Sequence, residues 1–238
     1  AVAIDDGRIA AVGDEDDLPA ADDRVDVSGL LVMPGAVDPH VHVAAVGPGD
    51  PYDVATGAAA LGGVTTAITF AWQPFYHPDR EWDHDGTLRE GIETELAAGE
   101  DAVVDFALHG GITREEPATF DELDAAIDAG VTSFKLFTVY EEALSNGFIH
   151  RAFEEIAERD AVAVLHTEDP SVCDSLSDRF AAEGRDPTWY PRSRPDYAEA
   201  MAADDLLRIA DAVGVKYYGI HTSSRAAADV ICRLQELA

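Results

Sequence analysis

With 238 residues, 47% of them hydrophobic, the chain is long enough for one large domain or for a barrel with a small appendage. Its formal net charge of −31 excludes a surface that binds nucleic acid or anionic membranes. The acidic residues are scattered along the chain rather than gathered in one tail, which predicts the self-repelling surface of a halophilic protein.

The composition also bears on the cellular compartment. The two cysteines, Cys173 and Cys232, lack CxxC spacing and predict no disulfide framework. The sequence shows no signal peptide and no apolar run long enough to span a membrane. We therefore expect a cytoplasmic protein in a high-salt cell, with neither nucleic acid nor a membrane among its partners.

Residues 1–33 predict a small β piece beside a main domain. Three apolar runs, at 1–4, 8–13 and 25–33, are typical of short strands, and Asp6-Gly7 between the first two is a hairpin signal. The chain begins without Met inside the first predicted strand. We therefore expect it to be a segment of a longer protein.

From residue 34 to residue 238, apolar runs alternate with helical patterns. Strands are predicted near 37–43, 64–70, 102–108, 132–137, 161–166 and 215–221, and helices near 54–62, 87–98, 119–129, 147–159, 196–212 and 224–237. Six such units predict either an incomplete TIM (β/α)8 barrel or a doubly wound sheet. No GxGxxG follows the first strand, which argues against a dinucleotide-binding fold. In a barrel, functional residues lie at the carboxyl ends of strands.

Four histidines lie at such predicted strand ends. His40 and His42 are spaced i, i+2, which puts both imidazoles on one face of a strand, and His166 and His221 close two later strands. Together these imidazoles suit Zn²⁺ or a similar ion, although each histidine alone could equally be structural. His109, at the end of the third strand, is a candidate for supporting a metal ligand from behind. The other histidines are expected to be solvated or structural: His77, His84 and His150.

Lysine is rare in this chain, which has 14 arginines and only two lysines. One of them, Lys135, lies late in the fourth strand, where burial near metal cations would favour its neutral amine. A neutral amine can take up CO₂ and become a carbamate that bridges two metal ions, whereas arginine cannot. The alternative is a lysine that extends from the barrel mouth into water. Tyr140, five residues later, could donate its hydroxyl to a developing oxyanion or could simply cover the barrel top.

Six motifs lie along the chain: GAVDPHVH at 35–42, GGVTT at 62–66, FKLFTVY at 134–140, HTED at 166–169, RPDYAEA at 194–200 and IHTSS at 220–224. They resemble motifs of the cyclic amidohydrolases, among which the dihydropyrimidinase/hydantoinase branch fits best. The resemblance covers nearly the whole chain in family order. It implies an incomplete TIM barrel over residues 34–238 and a partial β-sandwich segment over residues 1–33.

The resemblance also implies a binuclear metal centre. By this resemblance His40 and His42 bind one zinc ion, His166 and His221 bind the other, and Lys135, carboxylated on its side-chain nitrogen, bridges both. Two metals that share a hydroxide can supply a nucleophile at neutral pH and polarise a carbonyl group.

The implied activity is hydrolysis of a cyclic amide, such as a dihydropyrimidine, a hydantoin or a related ureide, by a metal-bridging hydroxide. Tyr140 matches the family tyrosine that contacts the substrate carbonyl, so Tyr140 and Lys135 are the implied catalytic residues. Asp38 would support the first histidine pair. The implied partners are a small cyclic amide and further copies of the chain in a dimer or a tetramer.

Three alternatives stay open at this point. Allantoinase has a similar histidine motif. Dihydroorotase typically has an arginine two residues beyond the HxH pair, where this chain has Val43 and Ala44. A non-catalytic scaffold of the same fold is the alternative from another class, and zinc content would distinguish it from an enzyme.

Departures from the family pattern qualify these expectations. The family's last metal ligand is an aspartate after the eighth strand, and this chain stops at Ala238 after six units. We therefore expect this segment alone to be inactive. Two loops, predicted at 71–86 and 167–195, are candidates for a lid and for substrate contacts, or for an oligomer surface. The second loop contains Trp189-Tyr190-Pro191.

Overall fold

The computed structural model describes residues 1–43, 49–73, 86–140, 142–184, 186 and 188–235. The chain divides into two compact units, Ala1–Pro34 and Gly35–Ala238. In the described part of the chain, no helix is both long enough and apolar enough to cross a membrane.

The first unit contains an antiparallel hairpin of β1 (Val2–Asp5) and β2 (Arg8–Val12). Its turn residues, Asp6 and Gly7, have φ values of 49° and 70°, as a tight two-residue hairpin turn requires. The hairpin prediction is therefore confirmed.

The third strand predicted in this unit, at 25–33, is wrong. The backbone N–H of Leu30 donates to the carbonyl of Val27, and Gly29 between them has a φ of 82°. This geometry is that of a β-turn with glycine at its third position, which ends any extended run. The run resembled a strand because its apolar residues have the spacing of one. That spacing does not show that a glycine within the run adopts a left-handed backbone conformation.

The second unit contains a six-stranded parallel sheet in the order β3 to β8, so the predicted incomplete barrel is confirmed. Its strands are β3 (Ala36–Asp38), β4 (Val64–Trp72), β5 (Asp105–Gly111), β6 (Ser133–Phe137), β7 (Val162–His166) and β8 (Lys216–Gly219). The helices are α1 (Tyr52–Leu61), α2 (Leu88–Ala98), α3 (Leu123–Asp128), α4 (Asn146–Glu158), α5 (Pro170–Glu183), α6 (Trp189–Ser193), α7 (Asp196–Val213) and α8 (Arg225–Gln235).

The region predicted as a loop at 167–195 instead contains α5 and α6. The side chain of Asp169 accepts from the backbone N–H of Val172, and Pro170 occupies the first helical position. Both are standard signals for the start of a helix. The prediction missed α5 because few of its side chains are buried, so its apolar stripe is narrow.

Strand β6 separates the hydrophobic core from the functional face. Phe134 and Leu136 are fully buried in the core cluster, together with Phe153 of α4. Side chains alternate along a strand, so Lys135 and Phe137 point to the other face. Burial of each large apolar side chain contributes roughly 2 kcal/mol, which anchors the strand that carries the lysine.

The acidic residues lie mainly on the surface. Asp14, Glu15, Asp16 and Asp17 are all exposed, and so are several acids around α3. Like charges at this density repel one another over about 10 Å at 0.1 M salt and over about 3 Å at 1 M.

We expect salt to stabilise this protein. Raising KCl from about 0.1 M to about 2 M should raise the thermal unfolding midpoint of the full-length protein, because screening reduces the repulsion between carboxylates. Circular dichroism during heating measures the midpoint. The increase should shrink at about pH 4, where carboxyl groups are partly protonated. A midpoint that stays constant or falls at neutral pH would contradict the halophilic interpretation.

Candidate active site

The segment after β3 carries the first histidine pair. The prediction placed His40 and His42 on the strand, but β3 ends at Asp38, so both residues lie beyond it. The backbone N–H of His40 donates to the Asp38 carboxylate at 3.1 Å, and that of Val41 donates to the Ile68 carbonyl at 3.1 Å. These two bonds fix the segment, and the Nε2 atoms of the two imidazoles lie 3.3 Å apart.

Two aromatic rings of β4 support this pair. His42 stacks on Phe70 and Trp72, with ring centroids 4.8 Å and 5.9 Å away, and His40 meets the Phe70 ring edge-on at 4.9 Å. Phe70 and Trp72 stack on each other at 4.8 Å. The sequence analysis did not single out these two rings, although both lie near the carboxyl end of a predicted strand.

His109 of β5 is buried and uses both of its ring nitrogens. Its Nε2 lies 3.0 Å from the carbonyl oxygen of Pro39, and its Nδ1 lies 2.6 Å from the hydroxyl of Ser133. Nε2–H therefore donates to Pro39, and Nδ1 accepts from Ser133. Since Pro39 directly precedes His40, His109 holds the backbone next to the first histidine pair, and its role in supporting a metal ligand stays a prediction.

Lys135 is the most unusual residue of the site. It is 1% exposed, and no hydrogen-bond partner of its Nζ lies among the described residues. The Nζ atom is 4.3 Å from the centroid of the Phe137 ring. Burial lowers the pKa of Lys135 to about 6, so most of its amine is neutral at pH 7. The alternative of a lysine extended into water is therefore excluded.

The predicted metal ligands come together around this lysine. His221 lies 5.1 Å from His40 and 4.5 Å from His166, measured between ring centroids. Burial and, after it, the charge of Lys135 lower the pKa of His40 to about 3 and that of His42 in the same direction. Burial, His166 and Lys135 lower the pKa of His221 to about 4. The imidazoles are therefore neutral at pH 7, which is the form that binds metals.

Two site residues have backbone conformations that side-chain-bearing residues rarely adopt. Tyr140 has a φ of 69° and His221 a φ of 34°. Such strain concentrates at functional sites. The Glu199 carboxylate of α7 holds the segment after His221, because it accepts from the backbone N–H groups of Ser223 at 2.8 Å and of Ser224 at 2.7 Å.

A polar network connects His166 to the residues around Tyr140. The Nε2 of His166 lies 2.8 Å from the Glu168 carboxylate, which also accepts from Arg194 at 2.8 Å. Burial raises the pKa of Glu168, but the hydrogen bond from His166 and the charge of Arg194 outweigh it, so the net pKa is lowered. A carboxylate beside a histidine orients the ring and raises its basicity.

An open cavity of about 470 Å³ lies beside these residues, large enough for a small cyclic molecule. Its walls are mainly polar. They comprise Tyr140, His166, Thr167, Glu168, Tyr190, Arg194, Pro195, Asp196, Glu199, His221, Ser223 and Ser224.

The potential ligand atoms of this cluster fit a metal centre in which a modified lysine is one of the ligands. Within the described ranges, no three His, Cys, Asp or Glu side chains already form a metal site by themselves. The cluster instead combines four imidazoles with the buried and unpartnered Nζ of Lys135. A carbamate on that nitrogen would add the anionic oxygens that the imidazoles lack, and imidazole with carboxylate-like oxygen is a zinc donor set.

The sequence of this chain is similar to those of a bacterial domain family and of several named enzymes. A family model described as "Imidazolonepropionase-like composite domain, bacteria" matches residues 1–21. The D-hydantoinase of Streptomyces coelicolor is 32% identical over 99% of this chain and 51% of its own length. An allantoinase of Salmonella choleraesuis is 30% identical over 99% of this chain and 52% of its own length.

Solved structures agree with these sequence matches. A D-hydantoinase structure has a TM-score of 0.89 at 27% identity and covers 99% of this chain and 51% of that chain. The chain is a homologue of the hydantoinases. The L-hydantoinase (dihydropyrimidinase) from Arthrobacter aurescens has a TM-score of 0.85 at 28% identity, over 99% of this chain and 52% of that chain. The chain spans about half the length of the curated hydantoinases that it matches.

Sequence reasoning missed part of this candidate site. Neither Glu168 nor Arg194 was named as a site residue, and Tyr190 was placed only in a loop of open function. The signal for Glu168 was its position two residues after a strand-end histidine. Most of the other predicted loop, 74–85, lies outside the described residues, as do His77 and His84.

Proposed function

We propose that the full-length protein is a metal-dependent cyclic amidohydrolase that opens a hydantoin, a dihydropyrimidine or a related ureide ring. One observation carries the proposal: four imidazoles converge, at the carboxyl ends of a parallel sheet, on a buried lysine with an unpartnered amine. The names of the relatives, hydantoinases and an allantoinase, support the same reaction class.

The residues for two metal ions are the five that the sequence predicted. His40 and His42 would hold one ion, His166 and His221 the other, and Lys135 both. When bound, the metals supply a water-derived nucleophile at neutral pH and polarise the substrate carbonyl. Zn²⁺ is the ion that this donor set suits best.

Lys135 would act as a carbamate. Its nitrogen attacks the carbon of CO₂ and loses a proton to water, so the neutral amine becomes an anionic group with two oxygens. Burial favours this step because it lowers the pKa of the amine to about 6 and so removes the need to deprotonate it at pH 7. Arginine could not take this role, since its guanidinium stays protonated.

Tyr140 would donate a hydrogen bond to the carbonyl oxygen of the substrate. Its side chain borders the cavity and its ring lies 5.2 Å from that of His166. Burial raises the pKa of Tyr140, and this keeps the phenol protonated at neutral pH. A donor fixed beside a developing oxyanion typically contributes about 10²–10³-fold to turnover.

An allantoinase is the second candidate, because an allantoinase of Salmonella is as similar as several of the hydantoinases. No observation favours a dihydroorotase, since the arginine expected two residues beyond the HxH pair is absent and Val43 and Ala44 follow His42. A non-catalytic scaffold is disfavoured by the five potential ligands that the fold brings together. The homo-oligomeric state and the cytoplasmic location stay predictions for the full-length protein.

The test combines metal content with a panel of substrates. We expect about two equivalents of zinc per chain in the purified full-length protein, and hydrolysis of hydantoin or dihydrouracil ahead of allantoin and dihydroorotate. Metal analysis and absorbance assays measure the two quantities. Chelation should abolish turnover and added Zn²⁺ should restore it. A metal-free protein that hydrolyses none of the four rings would contradict the proposal and favour the scaffold.

A further inference from the structure

Tyr190 of the short helix α6 touches the proposed oxyanion donor. Its hydroxyl oxygen lies 2.9 Å from that of Tyr140, across 50 residues of sequence. Both rings border the cavity, and they are 46% and 41% exposed, respectively. The Tyr190 backbone is held in turn, because its carbonyl accepts from the hydroxyl of the fully buried Ser193 at 2.7 Å.

Arg194 holds the same two rings from one side. Its guanidinium carbon lies 4.5 Å from the centroid of the Tyr140 ring and 5.1 Å from that of Tyr190. The guanidinium is fixed by Glu168 at 2.8 Å, and Glu168 contacts His166 at 2.8 Å. A cation over an aromatic face contributes about 0.5–2 kcal/mol, so this arrangement restrains where both phenols can lie.

Only one of the two phenol hydrogens can lie between the oxygens of Tyr140 and Tyr190, so one hydroxyl donates and the other accepts. If Tyr140 donates to Tyr190, its own hydrogen is used up and cannot reach a substrate. If Tyr190 donates to Tyr140, the hydrogen of Tyr140 stays free to point into the cavity, and the accepted hydrogen bond makes it a stronger donor. Only the second arrangement is compatible with Tyr140 as the donor to a carbonyl oxygen.

We propose that Tyr190 is a positioning residue, whose hydroxyl donates to the oxygen of Tyr140 and directs the Tyr140 hydrogen towards the substrate carbonyl. This inference rests on the proposed function, in which Tyr140 stabilises the oxyanion. It assigns a role to a residue on α6, a helix that the sequence did not predict. The backbone of Tyr140 has a φ of 69°, a conformation that persists only where surrounding contacts hold the residue, and the contact with Tyr190 is one of these.

Two other roles for Tyr190 give different results. A packing role needs only the ring, so Tyr190→Phe would leave turnover unchanged. If Tyr190 contacts the substrate directly, Tyr190→Phe would raise KM, and it would do so whether or not Tyr140 has a hydroxyl group.

The experiment is a double-mutant cycle in the full-length, metal-loaded protein. Tyr190→Phe should lower kcat about tenfold, as expected for one lost hydrogen bond, with KM changed less than about twofold. Tyr140→Phe should lower kcat by about 10²–10³-fold. In the double variant, the Tyr190 change should have no further effect, because it acts through the hydroxyl that is already missing. Tyr197→Phe is the matched control, since Tyr197 is exposed on α7 and should leave kcat unchanged.

The outcomes distinguish a failure of the role of Tyr190 from a failure of the proposed function. An unchanged kcat in Tyr190→Phe, or a full tenfold loss that persists in the Tyr140→Phe background, overturns the inference while the proposed function stands. An unchanged kcat in Tyr140→Phe overturns the role of Tyr140, and the inference falls with it. The thermal unfolding midpoint of Tyr190→Phe should match that of the parent protein, because the ring remains.

Discussion

Replacing Lys135 with alanine in the full-length protein is expected to remove the bound metal and to lower turnover at least about a thousandfold. Loss of a residue that only supports a metal ligand lowers metal affinity or activity roughly 10–100-fold. The loss of Lys135 should cost more, because it would itself be a ligand and both ions would share it. Atomic emission measures the metal, so the result does not depend on activity alone. The fold should survive, since the amine is mainly neutral at pH 7 and has no hydrogen-bond partner among the described residues.

The chain offers a matched control for this variant. Lys216, the other lysine, binds the Asp160 carboxylate at 2.6 Å on the surface, so Lys216→Ala should keep metal and turnover. Lys135→Arg should behave like Lys135→Ala, because a guanidinium forms no carbamate. A short carboxylic acid such as propionate should partly restore Lys135→Ala, since it supplies the two missing oxygens. Full metal content and full activity in Lys135→Ala would disprove the carbamate.

The parallel sheet explains why so much of this site was visible in the sequence. In a barrel, the carboxyl ends of all strands lie at one face, where the functional residues are found. Residues that are distant in sequence can therefore be predicted to lie close together once the strands are identified. His166 is the last residue of β7 and is in register with Phe137 of β6, two positions after Lys135. The structure thus brings the predicted side chains together, and their roles in binding metal stay predictions.

The rest of the site depends on contacts that no local pattern records. Tyr140 and Tyr190 meet across 50 residues, and Arg194 reaches Glu168 across 26. Each contact depends on α5 and α6, which were predicted as loop because few of their side chains face the core. Conversely, the apolar run at 25–33 has the pattern of a strand, but a turn at Gly29 interrupts it.

Close approach of α2 to the end of β4 is another feature that sequence alone does not reveal. The backbone of Gly91 lies against Trp72, whose ring stacks on His42 at 5.9 Å. A methyl carbon on Gly91 would overlap the Trp72 carbonyl oxygen and would lie 2.9 Å from its carbonyl carbon. Both are backbone atoms, so neither can rotate out of the way.

We therefore expect Gly91→Ala to destabilise the full-length protein by about 3 kcal/mol, the upper end for overpacking, even though alanine favours a helix by about 0.5–1 kcal/mol. The thermal midpoint should fall by several degrees, and by less the longer the full-length chain is, because the shift per kcal/mol decreases with chain length. Gly57→Ala in α1 is the control, because no described atom beyond the adjoining residues and the backbone of its own helix lies within 4 Å of the added methyl group, and it should raise the midpoint slightly. If both variants raise the midpoint, helix propensity decides the result and the contact with Trp72 does not. A lower midpoint for Gly91→Ala alone would show that the spacing between α2 and β4 is fixed by the absence of a side chain, next to the strand end that supports His42.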